Sequence, residues 1–266
     1  MGILNVTPDS FYKDSRFNPK AEAFLKKAGA MIEEGADVLD VGGYSTRSGG
    51  AEVSEEEELH RVIPAVEKLR THFPEVPVSV DTFRAAVARE ALKAGAAVIN
   101  DISGGDFDEG MFPLIVAKNP VYILMHQGGH SLADMHAPGR YTDYLPEVFD
   151  KLFKKAATLR RQGVTDLLLD PGFGFSKSLD ENYRLLQHLD LLQNEHYPVL
   201  AGMSRKSMIW KVLDVAPEDT LPASVLLHGL AMYKGADAVR VHDPLPYAQT
   251  RQIFRKFLNS LPYNNF

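Results

Sequence analysis

The sequence predicts an α/β fold of the (β/α)8 TIM-barrel kind, and two observations carry that expectation. Short apolar runs of strand length alternate with longer segments of helical period along the whole chain. The alternation repeats eight times, with no low-complexity tract, linker or shift of composition between units. Eight evenly spaced strand–helix units point to a single closed barrel over residues 1–266 rather than an open doubly wound sheet.

The elements follow in order. Residues 2–6 are a short apolar run containing Asn5 and followed by Thr7-Pro8-Asp9. Residues 19–34 carry Ala23, Phe24, Ala28, Met31 and Ile32 at helical spacing. A buried-type strand over 36–41 is broken by Gly42-Gly43. Ser54 and the glutamates after it form a capping-box pattern, opening a helix to about His72. The third strand, 76–80, ends on Asp81, and a helix over 83–94 stops at Gly95. The fourth strand, 97–99, ends on Asn100-Asp101. A short helix near 112–117 precedes the fifth strand, 121–125. After a long loop, the helix over 144–162 carries basic residues late, where the helix dipole favours them. The sixth strand, 167–169, ends on Asp170, a helix follows near 180–192, and the seventh strand is 198–201. The stretch 202–209, GMSRKSMI, reads as a turn into a helix start, with Ser204 and Ser207 as caps and Arg205 and Lys206 adding positive charge. A helix over 220–234, a strand over 238–241 and a helix over 245–258 complete the eight units.

Composition narrows the function. A net charge of −6 argues against general binding to nucleic acid or membrane surfaces. No cysteine is present, so disulfide scaffolding and thiolate chemistry are excluded. No apolar run approaches the length of a membrane span, and the first residues lack a secretory pattern, so a soluble cytoplasmic protein is expected.

In a barrel of this type the active site lies at the C-terminal ends of the strands. Asn5 ends the first strand, and Asp40 lies near the end of the second, with Ser45-Thr46-Arg47 beyond it. Asp81, Asn100, His126 and Asp170 end the next four, Lys206 follows the seventh, and Arg240 and His242 end the eighth. Turn chemistry favours Asp and Asn at loop starts, but does not put a polar group at every strand end. Asp81, Asn100 and Asp170 are short, rigid hydrogen-bonding groups. They suit the edge of a heterocycle, because a carboxylate accepts two parallel N–H bonds. Arg47, Lys206, Arg240 and His242 add positive charge to the same rim, as an anion site needs. His126 and His130 flank Gly128-Gly129 and read as loop residues rather than metal ligands.

Eight segments carry a family resemblance: MGILNVTPDSF, DVGGYSTR, SVDTFR, INDISGG, LMH, DPGFGF, GMSRKSMI and VRVHD. They stand in the order and spacing of the dihydropteroate synthase family of pterin-binding barrels, and the chain resembles it essentially end to end. The resemblance implies condensation of 6-hydroxymethyl-7,8-dihydropterin pyrophosphate with 4-aminobenzoate to give dihydropteroate and pyrophosphate. Diphosphate would leave a pterin methylene cation, which the aminobenzoate amine attacks. The resemblance further implies that Asp81, Asn100 and Asp170 hydrogen-bond the pterin, with Lys206 on its far side. It makes Met125 and Phe175 apolar walls, and puts Arg240 over the ring and in reach of the phosphate. Thr46, Arg47 and His242 would contact the diphosphate, and Phe11, Phe175 and Ser207 the aminobenzoate. Asn5 would coordinate Mg²⁺, with the diphosphate supplying further oxygens. Asp9, or Asp14 in its place, would carry the first loop's negative charge. The family is usually a homodimer through late helices, where Trp210, Leu226, Leu230 and Tyr233 fit either a face or the core.

Two loops depart from the family pattern. GGESTRPG is replaced by GGYSTRSGG, with Tyr44 for glutamate and Ser48 for proline, so the loop loses a fixed φ. Lys13 stands where the family has aspartate. Two rival readings remain at this stage: a methyltetrahydrofolate–corrinoid methyltransferase type of pterin enzyme, and a pterin-binding paralogue without catalysis.

Overall fold

Strand pairing runs once around the molecule and returns to its start. In the computed structural model, which describes residues 1–6, 19–44, 53–129, 134–135, 137, 141–193 and 197–260, six strands pair in chain order and in parallel. They are β1 (Gly2–Asn5), β2 (Leu39–Gly42), β3 (Val78–Asp81), β4 (Val98–Asp101), β5 (Val121–Met125) and β6 (Leu167–Asp170). The short strands β7 (Leu200–Ala201) and β8 (Ala238–Val239) pair with each other. Two bridges complete the ring, Leu169 beside Val199 and Gly2 beside Val241. Leu169 N–H donates to Pro198 O at 2.9 Å and Ile3 N–H to Val241 O at 2.9 Å. The expected (β/α)8 barrel is therefore closed.

The helices are α1 (Pro19–Glu33), α2 (Glu55–His72), α3 (Ala85–Lys93), α4 (Met111–Lys118), α5 (Tyr144–Arg161), α6 (Leu179–Gln187), α7 (Ser207–Leu213), α8 (Leu221–Tyr233) and α9 (Pro244–Asn259). Ser54 caps α2 as expected, its side chain accepting from Glu57 N–H. Ser178 and Glu181 form a reciprocal capping box on α6 that the sequence reading did not single out. The helix expected over 180–192 divides at His188 into α6 and a 3-10 turn, Leu189–Leu192. Most other boundaries shift by one to three residues, as helix and strand ends do.

Period-two alternation along the strands separates two environments. One set of side chains faces the helices. Leu39, Val41, Val80, Ile99, Leu124 and Leu169 pack there against Val62, Val66, Leu69, Ala88 and Leu152. The other set faces the lumen, where Val98, Ile123 and Leu200 are buried, with Leu168 and Ala238 packed on them. Two residues further along the same strands stand Asn100, Met125, Gly202, Asp170 and Arg240. The apolar floor and the polar mouth are thus successive layers of one barrel. Among the described residues no helix is long and apolar enough to cross a membrane.

Behind Asn100, the fully buried Asp101 fixes the loop after β4. It accepts from Ser103 N–H at 2.8 Å, Ser103 Oγ at 2.7 Å, Gly105 N–H at 2.8 Å and Tyr122 Oη at 2.7 Å. Burial raises its pKa, and these hydrogen bonds oppose the rise. Tyr122→Phe is expected to lower stability by about 1–3 kcal/mol, because a buried carboxylate loses a donor. Urea unfolding tests this, and an unchanged midpoint would exclude such a role for the Tyr122 hydroxyl.

Candidate active site

One wall of the mouth is an ionic cluster. Arg240, just beyond β8, donates from Nε to Asp40 Oδ2 at 2.6 Å and from a terminal nitrogen to Asp81 Oδ2 at 2.6 Å. Asn100 donates to the same Asp40 oxygen at 3.3 Å. Asp40 is wholly buried, and its other oxygen has no hydrogen-bond partner. A single guanidinium thus sits between two carboxylates. Burial pushes Asp81 up to about 7, against the pull of Arg240, while Asp40, Glu58 and Asp101 add to the rise. Burial works against the charge on Arg240, but Asp40 and Asp81 outweigh it and raise its pKa. A Cβ on Gly42 would stand 3.2 Å from Asn5 Oδ1, so glycine here keeps that amide oxygen uncovered at the end of β1.

The facing wall is built from the loops after β6 and β7. Asp170 accepts from Gly172 N–H at 2.7 Å. Burial raises its pKa, opposed by Lys206, the Gly172 N–H, Lys177 and Arg240. Lys206 donates to the carbonyl of Phe173, and its ammonium lies 4.6 Å from the centroid of the Phe175 ring. Burial lowers Lys206 to about 8; Asp170 and Asp81 pull it back up. The lysine fits because of a glycine. Gly174 has φ +79, and a Cβ there would come within 3.1 Å of Lys206 Cδ.

Apolar surface lies between the walls. Met125 and Phe175 are buried with Phe83, Ile102 and Met135, and Phe107 packs on them. Tyr44, the substitution noted in the second loop, stands edge-on to Phe83 at 5.9 Å and lies 5.7 Å from the Arg84 guanidinium. Arg84 is paired with buried Glu58.

The structure therefore gathers Asp81, Asn100 and Arg240 on one side, and Asp170, Lys206 and Phe175 on the other. Met125 lies in the apolar cluster, Asn5 is exposed at the end of β1, and Ser207 is the half-buried first residue of α7. His242 Nδ1 lies 3.0 Å from Ser204 Oγ. The capping expected of Ser204 and Ser207 is corrected. The cap residue of α7 is Lys206, with no side-chain capping bond. Ser204 lies two residues too early to cap and holds His242 instead. Arg205 is a structural tie, with both oxygens of Asp243 at 2.8 Å. His126 is also internal: burial, then Lys177, Lys151 and Lys155, push it well below its ordinary value. Asp9, Phe11, Lys13, Asp14, Thr46, Arg47, Ser48 and His130 lie outside the described residues. Two members were not assigned roles from sequence. Asp40 shares the lumen-facing period of its strand, which was a usable signal. Lys177, two residues past Phe175, gave none beyond its closeness to DPGFGF.

The chain is similar to proteins of known function. Residues 1–242 match the family described as pterin binding enzyme. The dihydropteroate synthase of Bacillus subtilis is 40% identical over 262 residues, covering 97% of this chain and 88% of the relative. The Xanthomonas albilineans dihydropteroate synthase solved with 4-aminobenzoic acid superposes with a TM-score of 0.87 at 39% identity, covering 98% of this chain and 93% of that one. The Burkholderia cenocepacia dihydropteroate synthase complexed with 7,8-dihydropteroate superposes with a TM-score of 0.87 at 38% identity, covering 99% and 92%.

Arg240→Leu leaves Asp40 and Asp81 buried without their cation. It is expected to cost about 3–5 kcal/mol at slightly alkaline pH. The Asp81 pKa is raised to about 7 in the fold, so the loss appears as pH rises through that range and shrinks in acid, where Asp81 is protonated. Denaturant unfolding across pH checks this, with Asp40→Asn expected to restore part of the loss. A pH-independent stability equal to the parent's would contradict the charge balance.

Proposed function

The chain belongs to the dihydropteroate synthase family of pterin-binding enzymes, and from that membership we propose how its barrel mouth works. Its reaction joins 6-hydroxymethyl-7,8-dihydropterin pyrophosphate to 4-aminobenzoate, giving 7,8-dihydropteroate and pyrophosphate in folate biosynthesis. The observation that carries the reading is the convergence on one mouth of Asp170 and Lys206, whose charges favour one another, with Asp81, Asn100 and Arg240.

Asp170 accepts the N–H edge of the pterin, Asn100 supplies both a donor and an acceptor, and Asp81 completes the set. Lys206 donates from the far side, against Phe175. Met125 and Phe175 exclude water from the ring faces. Arg240 is one-fifth exposed and would contact the diphosphate, the role that the family resemblance also gives His242, Thr46 and Arg47. Asn5 would hold a Mg²⁺ through its uncovered amide oxygen, the ion taking other ligands from diphosphate and water and offsetting the leaving-group charge. Among the described residues no three His, Cys, Asp or Glu groups form a protein cage for a metal.

The C–O bond breaks with its electron pair going to the diphosphate. The methylene cation that remains lies in a mouth where two carboxylates outnumber the guanidinium between them, and that excess stabilises it. Asp9 adds a further loop carboxylate. Phe11, Phe175 and Ser207 orient the aminobenzoate so that its nitrogen lone pair forms the C–N bond, and the ammonium proton passes to solvent.

The working enzyme is a cytoplasmic homodimer. Leu226, Leu230 and Tyr233 are 62%, 45% and 63% exposed along one stripe of α8, which removes them from the core and offers a face for a second copy. Trp210, on α7, is half-buried.

Pyrophosphate release that requires both 4-aminobenzoate and Mg²⁺ is the expected activity. Asp170→Asn and Lys206→Ala are each expected to lower it about 10²- to 10⁴-fold. Near-parental kinetics in either variant would remove that residue from the site. Tight pterin binding without release in the parent would favour the non-catalytic paralogue.

A further inference from the structure

Lys177 is a lysine buried to 6% exposure in the loop between β6 and α6, with no place in the chemistry described above. Its ammonium donates to Gly172 O at 2.9 Å and Phe175 O at 2.9 Å, and its third partner is His126 Nδ1 at 3.1 Å. An ammonium has three N–H bonds, and all are used. His126 is held neutral by burial and the surrounding lysines, so Nδ1 accepts and the ring proton sits on Nε2. The backbone crosses tightly at the same point. Gly172 has φ +72, and a Cβ there would meet His126 O at 1.9 Å.

The two carbonyls that Lys177 holds bracket Phe173 and Gly174. Phe173 supplies the carbonyl that takes the Lys206 ammonium, Gly174 makes room for the Lys206 stem, and the Phe175 ring lies under the Lys206 charge. Ser176, next in the chain, has φ +51 and is tied by its N–H to Met135 O at 2.8 Å. Asn182 ties the loop to α6, accepting from Gly174 N–H at 2.6 Å. The loop is thus held at several points, but Lys177 is the tie that joins it to the end of β5 through His126.

We propose that Lys177 is a positioning residue of the pterin pocket, its buried ammonium locking the loop after β6 to the end of β5 so that Phe173 and Phe175 meet Lys206. The proposal rests on the reading of Asp170 and Lys206 as pterin contacts. A second effect follows from charge. Asp170 is faced by Lys206, Lys177, Arg240 and the Gly172 N–H, all favouring its carboxylate against burial. Burial lowers the Lys177 pKa to about 7; Asp170 and Glu181 favour its charge, and Lys206 and Lys151 oppose it, so the ammonium is fully present on the acid side of that value. Removing the Lys177 charge therefore lets the Asp170 pKa rise further, and the carboxylate is lost at a higher pH.

The test is calorimetric titration of the full chain with 7,8-dihydropteroate, from about pH 5 to 8, for the parent and for Asp170→Asn, Lys177→Met and Lys177→Arg. Lys177→Met is expected to weaken binding about 10- to 100-fold near neutral pH and to move the acid limb of the affinity profile to higher pH. Lys177→Arg is expected to return the limb towards its parental place even where affinity stays low, since it restores charge but not fit. Unchanged affinity and limb in Lys177→Met overturn the proposal. So does a uniform loss at every pH, which is what a merely structural lysine would give. If Lys177→Met does not fold, Lys177→Gln, which keeps donors and removes charge, is read by the same limb. A parent that does not bind, or an Asp170→Asn variant that binds like it, sinks the underlying reading and not this proposal.

Discussion

A guanidinium shared by two buried carboxylates is the constraint on which the mouth depends. Arg240 comes from the last strand and its partners from the second and third, so the contact exists only because the barrel closes. Buried charges are costly unless paired. With Asp40 and Asp81 to one Arg240, pairing is incomplete: one Asp40 oxygen has no partner, and burial keeps the Asp81 pKa raised although Arg240 pulls it down. In the mechanism we propose, a cation formed in the mouth would be drawn to that excess carboxylate. Across the mouth, Asp170 and Lys206 bring one carboxylate and one ammonium whose charges favour each other.

The same alternation that makes the barrel stable makes the site. Val98, Ile123, Leu168, Leu200 and Ala238 fill the lumen, and the residues two places on form the mouth. Burial of the floor stabilises the barrel, and the rim above it spends part of that stability on charged groups and close backbone approaches. The glycines mark where. Gly42 uncovers the Asn5 oxygen, Gly174 admits the Lys206 stem, and Gly172 lets the loop after β6 touch the carbonyl of His126.

Fold and rim were legible in the sequence because both follow local rules. Strand length, helical period and a polar residue at each strand end are patterns of neighbours in the chain, and the family motifs assigned roles to those ends. What escaped depends on contacts distant in sequence. Lys177 is buried by the crossing of two loops, so nothing near it in the chain announces a buried lysine. Ser204 looked like a cap because serine before a helix usually is one, yet the turn places Lys206 at the cap and turns the hydroxyl to His242, which is 38 residues away in sequence. The helix expected over 180–192 breaks at His188 although its apolar pattern continues, since a 3-10 turn can carry the same residues inward. Leu226, Leu230 and Tyr233 show the converse: apolar residues at helical spacing that the fold leaves outside.

A crystal structure of this chain with 7,8-dihydropteroate bound is the most direct measurement. The expected result has the pterin edge on Asp170 and Asn100, the Lys206 ammonium on its far side, Met125 and Phe175 against the rings, and the Arg240–Asp40 contact intact. A pterin seated outside this ring, or in the mouth without contact to Asp170 and Lys206, would contradict it.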